Sequence, residues 1–134
     1  MVIMIIFDSN VWIFSEIINC PEHEAAVRGY RSFLEKDTIA INAIIASEVF
    51  HKLSKLFNSN LAYDRVNNIL HNPSIEWLDL TRSTSIRAIN MANKIKIRIN
   101  DALIAEQALE FGSRLFTDDR GFKKVEGLEI VALR

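Results

Sequence analysis

Five acidic residues stand where carboxylates are costly or conspicuous. Asp8 ends the Ile-rich run in IIFDSNVWI, Glu48 lies inside the apolar segment IIASEVF, Asp101 opens NDALIAEQAL, and Asp118 and Asp119 close LFTDD. An ionised carboxylate at the edge of a core costs several kcal/mol unless it is paired or hydrogen-bonded. If such groups converge they also repel, at ~4 kcal/mol for two charges about 4 Å apart in an effective dielectric of ~20. Protonation of some, or a cation among them, offsets that repulsion. Ligands that are all oxygen, with no Cys or His in the pattern, select a hard ion, Mg²⁺ or Mn²⁺. The chemistry open to such a site is in-line attack of an activated water on a phosphodiester.

Convergence depends on the elements that carry these residues. The apolar run Val2–Phe7 predicts a fully buried strand that ends at Asp8. A first helix is expected from Asn10 to about Asn19, and a second from Pro21 to about Lys36. A short β-branched strand follows at Thr38–Ile41. In Ala43–Phe57, residues Ile45, Val49, Leu53 and Leu56 share one helical face. Leu61–Leu70 reads as a helix stopped by Asn72-Pro73, and Ile75–Leu80 as a strand. Thr81 to about Asn93 is helical, and the alternating KIKIRIN, Lys94–Asn100, reads as an extended connection. Asp101–Phe111 is a helix with Gly112 after it, Arg114–Thr117 a strand, and Leu128–Leu133 the last strand.

Short apolar strands separated by helices imply a parallel sheet covered on both faces. Ligands bind such sheets at the carboxyl ends of the strands, near the point where strand order reverses. Asp8, Asp118 and Asp119 directly follow strands and belong at that edge. Asp101 reaches it if its helix starts near the reversal, and Glu48 lies one to two turns into its helix. Each also has an ordinary explanation. Asp8 or Ser9 can cap a helix, and Asp101 can complement a helix dipole. Asp118-Asp119-Arg120-Gly121 can be a plain turn, and Glu48 a solvated helix residue.

With 134 residues, the chain fits one domain spanning 1–134. Only 4 glycines and 2 prolines occur, which argues against a loop-rich or disordered chain. The formal net charge of -1 means that nucleic acid would have to be met by a local basic patch. Lys94, Lys96 and Arg98 before Asp101, and Arg120, Lys123 and Lys124 after Asp119, are equally well read as that patch or as solubilising charge. The single cysteine, Cys20, excludes an internal disulfide, and a reducing cytosol is the natural compartment. His23, His51 and His71 lack zinc spacing and read as exposed helix residues. The apolar start is too short for a signal peptide or a membrane span.

At these residues the sequence resembles the PIN-domain ribonucleases, most closely the VapC-type toxins of toxin–antitoxin pairs. FDSNVWI is similar to the family's opening motif, IIASEVF to its second, NDALIAEQAL to its third, and LFTDDRGFKKVEGLEIVAL to its closing segment. The resemblance implies a three-layer α/β/α sandwich around a mainly parallel five-stranded sheet. It implies an acidic quartet of Asp8, Glu48, Asp101 and Asp119, with Asp8, Asp101 and Asp119 holding Mg²⁺ or Mn²⁺. Ser9, Asn10 and Thr117 would orient carboxylates or water. Asp119 is preferred to Asp118 because Thr117-x-Asp119-x-x-Phe122 keeps the family spacing, and Gly121 stands where a polar residue is common. The resemblance further implies an RNA substrate, a cognate antitoxin and a homodimer. Apolar Trp12, Phe14, Ile17 and Ile18 give the first helix surface for a partner subunit. Two other functions are open. A haloacid-dehalogenase-like phosphatase also carries an aspartate after its first strand, but needs a second two residues on, where Asn10 stands. A non-catalytic RNA- or protein-binding module is the other.

Overall fold

The computed structural model describes residues 3–134. Val2, expected in the first strand, lies outside the described residues. β1 (Met4–Phe7) is apolar throughout because it lies in the middle of the sheet, with Ile5, Ile6 and Phe7 fully buried. α1 (Ser9–Phe14) and α2 (His23–Lys36) lead to β2 (Thr38–Ile41). α3 (Ala43–Leu56) and α4 (Ser59–Leu70) lead to β3 (Ile75–Trp77). α5 (Arg82–Ile95) and α6 (Ile99–Glu110) lead to β4 (Arg114–Thr117), and a 3₁₀ turn (Arg120–Lys124) precedes β5 (Ile130–Ala132).

All strand pairs are parallel, in the order β3-β2-β1-β4-β5. The architecture is the expected three-layer α/β/α sandwich. The chain builds outward from β1 through β2 to β3, then returns across β1 to add β4 and β5. Strand order therefore reverses between β1 and β4, where Phe7 lies opposite Phe116. The ends of these two strands stand side by side, and the Asp8 N–H donates to the Phe116 carbonyl at 2.9 Å.

Local sequence sets the helix starts. Asn42, Asn58 and Thr81 accept from the backbone N–H groups of Ile45, Leu61 and Thr84, at 2.9, 2.8 and 3.2 Å. Asn42 does more, because its amide donates at 2.7 Å to buried Gln107, which donates at 3.1 Å to the Asp79 carbonyl. This satisfied polar pair ties α3, α6 and the segment after β3 together. Near β1, the rings of Trp12, Tyr30, Phe33 and Phe116 surround Phe7 at centroid distances of 5.0 to 6.4 Å. α2 reaches this cluster only because residue 29 is glycine. A Cβ there would lie 2.4 Å from the Phe116 ring.

Several boundaries differ from expectation. α1 ends at Phe14, and turns occupy the chain before α2. Trp12 is 5% exposed and packs into the aromatic cluster, so it offers no surface to a partner; Ile18, at 78%, does. β3 stops at Trp77 rather than Leu80, because its partner β2 ends at Ile41, opposite Trp77, and Asn42 then caps α3; the Leu78 N–H to the Ile41 carbonyl is the last bond of that edge. Most of Lys94–Asn100 is helical. Lys96 takes the left-handed conformation (φ 60°) that ends α5, and α6 begins at Ile99. Ile95 and Ile97 both pack on the core across this link, so two half-buried isoleucines around a helix end imitate a strand's alternation.

Candidate functional site

The end of β1 presents Asp8, only 4% exposed. Its Oδ1 accepts from the Ser9 N–H at 2.8 Å, and its Oδ2 from the Thr117 hydroxyl at 2.7 Å and the Asn10 amide at 3.2 Å. Burial nevertheless pushes its pKa from 3.8 up to about 6. The hydrogen bonds from Thr117 and Ser9 pull it down, and the charges of Glu48 and Asp101 push it further up.

Thr117 and Asn10 join the two strand ends. The Thr117 hydroxyl oxygen also accepts from the Asp119 N–H at 3.0 Å. The Asn10 carbonyl accepts from the Asp118 N–H at 3.2 Å. These bonds part the adjacent acids. Asp119 closes the 3₁₀ turn by accepting from Gly121 N–H at 2.8 Å, so the glycine sits in an ordered turn. Asp118 turns instead to the Arg134 guanidinium, at 3.1 and 3.3 Å.

Asp8, Asp119 and, from the second turn of α3, Glu48 line one cleft of about 380 Å³. Ser9 and Asn10 form its floor, and His51, Lys52 and Arg98 complete the wall. Asp101, in the first turn of α6, stands behind Arg98, which grips its carboxylate with two hydrogen bonds of 3.0 and 3.1 Å. That grip raises the Arg98 pKa, with Glu48 and Asp119 adding to it. The topology thus brings Asp8, Glu48 and Asp119 to one cleft, with Asp101 at its edge under an internal countercharge. Among the described residues, no three His, Cys, Asp or Glu side chains are set to close on one ion. The expected trio of Asp8, Asp101 and Asp119 is not closed as the side chains lie. The reason is visible in the bonds: Arg98 holds Asp101, while Thr117 and Asn10 hold one oxygen of Asp8.

His51 and Lys52 were not foreseen at the site. Their positions three and four residues after Glu48 on a helix give them the same face, and that spacing was the available signal. Lys94 and Lys124 line a separate hollow beside α5 and α6.

A parallel sheet with carboxylates gathered at its point of strand reversal defines an α/β protein with an acidic cleft at its topological switch point. The family model described as PIN domain matches residues 5–128, and the chain belongs to the PIN-domain family, a family of nucleases. Solved structures similar in fold include VapBC2 from Rickettsia felis bound to a promoter DNA fragment. There the TM-score is 0.78 at 19% identity, covering 97% of this chain and 98% of that one. The sarcin–ricin loop cleaving toxin VapC20 from Mycobacterium tuberculosis gives 0.80 at 15% identity, covering 89% and 92%. A toxin–antitoxin complex from Klebsiella pneumoniae gives 0.68 at 18% identity, covering 96% and 97%. No curated protein matches the sequence. No helix among the described residues is long and apolar enough to cross a membrane.

Proposed function

We propose that this protein is a divalent-metal-dependent endoribonuclease of the VapC type, the toxin of a toxin–antitoxin pair. One observation carries the reading: buried Asp8 is held beside Glu48 and Asp119 at the sheet's reversal point, with its pKa raised to about 6 chiefly by burial and further by the charges of Glu48 and Asp101. The residues fit a hard divalent ion in donor type, since the acids offer oxygen only, and in charge, since Asp8 makes no ion pair among the described residues. Asp8, Asp101 and Asp119 would hold Mg²⁺ or Mn²⁺, once Arg98 releases Asp101. When bound, such an ion supplies an acidified water and neutralises charge on the phosphate oxygens.

The remaining roles fall to the chain's own groups. Thr117 and Asn10 fix Asp8 and set one of its oxygens aside. Gly121 fixes Asp119 in the same way. Glu48, half-buried on rigid α3, orients the attacking water and takes its proton. The new P–O bond forms as the bond to the 3′ oxygen breaks, and that oxygen takes a proton from solvent, leaving a 5′-phosphate and a 3′-hydroxyl. Single-stranded or looped RNA suits a cleft at a sheet edge, and the Mycobacterium tuberculosis relative that cleaves the sarcin–ricin loop supports this. The relatives solved as toxin–antitoxin complexes support an antitoxin partner. Exposed Ile18, and Phe50 and Leu56 on α3, offer surface for a second copy. A dehalogenase-like phosphatase is disfavoured because Asn10, at the position of its acid, spends its amide as a donor to Asp8.

The test is cleavage of cellular RNA with Mg²⁺, with EDTA, and with Asp101→Ala. Loss of cleavage in the last two supports the reading. Unchanged cleavage in either refutes it, and metal binding without any cleavage would favour the binding-module alternative.

A further inference from the structure

On the other side of Asp119 lies a second, larger hollow of about 570 Å³. The ends of β4 and β5 form its floor with Thr117, Ile130 and Ala132, and Arg120, Lys123 and Arg134 stand around it. Asp119 lines both hollows, so they share a wall. The balance of charge changes across that wall. In the acidic cleft Asp8, Glu48 and Asp119 face Lys52 and Arg98. In the second hollow Asp118 is already answered by Arg134, which also reaches Glu22 at 3.0 Å. Exposed Arg120 and Lys123 make no ion pair among the described residues, and Asp119 is the sole remaining acid beside them. Two uncommitted cations over a half-apolar floor suit a phosphate with room beside it for its sugar and base.

We infer that this hollow is the subsite for the phosphodiester adjacent to the one that is cut, held by Arg120 and Lys123, so that an extended single strand crosses Asp119. The inference rests on the ribonuclease reading above. Its physical basis is the repulsion a polyanion meets at a cluster of carboxylates. With a net charge of -1 the protein has no general field to draw RNA in. Contacts to a neighbouring phosphate must supply the grip, and these fix register without reading sequence. Arg120 brings a planar fork and Lys123 a point charge. Lys94 and Lys124 share no hollow with either site and are the internal control.

The experiment measures binding of a fluorescent single-stranded RNA 12-mer by anisotropy in EDTA over a range of NaCl concentrations. It compares wild type, the double variant Arg120→Gln/Lys123→Gln, and the double variant Lys94→Gln/Lys124→Gln. All four positions are solvent-exposed, so folding should survive, and matching melting curves check it. The Arg120/Lys123 variant should bind about tenfold more weakly, with a log–log salt slope shallower by at least ~0.7, the contribution of one single-strand phosphate. With Mg²⁺, its KM should rise while kcat stays within about twofold. The control variant, which loses the same charge, should match wild type. Equal weakening in both variants would overturn the subsite in favour of a diffuse field, as would an unchanged slope or no binding by wild type. Binding with the expected slopes but no cleavage would sink the nuclease reading and, with it, the placing of this phosphate beside a scissile one, leaving Arg120 and Lys123 as an RNA-backbone contact only.

Discussion

Asp8→Asn should remove a pH dependence of stability that Asp8 alone creates. In the folded protein the carboxyl is raised from 3.8 to about 6, chiefly by burial. The native state therefore holds this proton more tightly than the unfolded chain does. The stabilisation from that tighter hold is complete below about pH 4 and is lost as pH rises through about 6. Above that range the wild type carries the cost of a buried anion. At ~1.36 kcal/mol per pH unit, the distance from 3.8 to about 6 comes to about 3 kcal/mol. That figure already includes the help of Thr117 and Ser9. Asparagine keeps the shape and an acceptor oxygen but cannot ionise. The stability of Asp8→Asn relative to wild type should therefore climb by about 2 kcal/mol between pH 4 and pH 7, most of that full span. Urea unfolding in metal-free buffer at closely spaced pH values reads this difference. Parallel curves for the two proteins would refute the account of Asp8 as a buried, under-compensated charge.

Arg98→Gln should bind Mn²⁺ several-fold more tightly in calorimetry, because the cation that now holds Asp101 is gone; weaker binding would mean that Arg98 assists the ion. Thr117→Val should cost about 1–3 kcal/mol at pH 7 by stripping a hydrogen bond from a buried carboxylate, and should move Asp8 further above 6, as read by NMR titration. Gly29→Ala should cost about 1–3 kcal/mol in denaturant unfolding, since its Cβ would press on a Phe116 ring wedged among Phe7 and Phe33. Light scattering should report a dimer; a monomer at high micromolar concentration would remove the second copy from the proposal.

The acids at strand ends were legible because strands announce themselves when they are buried on both faces. An Ile-rich run that halts at Asp8, and the short apolar strand RLFT that halts at Asp118-Asp119, fix the carboxyl edge without reference to tertiary contacts. Glu48 was legible for a similar reason, as a charge inside an apolar helix. The countercharge was harder to see. Arg98 looked like one of several basic residues, and only the early start of α6, two residues before Asp101, turns its side chain onto that acid. Alternation in KIKIRIN hid that start. The Asp119–Gly121 turn was legible in the local pattern, but the separate duty of Asp118 depends on Asn10 and Arg134, which lie far from it in the chain, and local pattern carries no trace of them.

The bond from Thr117 to Asp8 spans 109 positions of sequence. It sets a clock on synthesis as well as a geometry. At translation speeds of ~5–20 residues per second, roughly 5–20 s separate the appearance of one partner from the other. Through that interval β1 has no β4 beside it, and the cleft lacks Asp119 altogether. A nascent chain, or a fragment released early, would thus be born inert however much of the sheet it had formed. Whatever restrains the finished protein needs to arrive only when the last strands do.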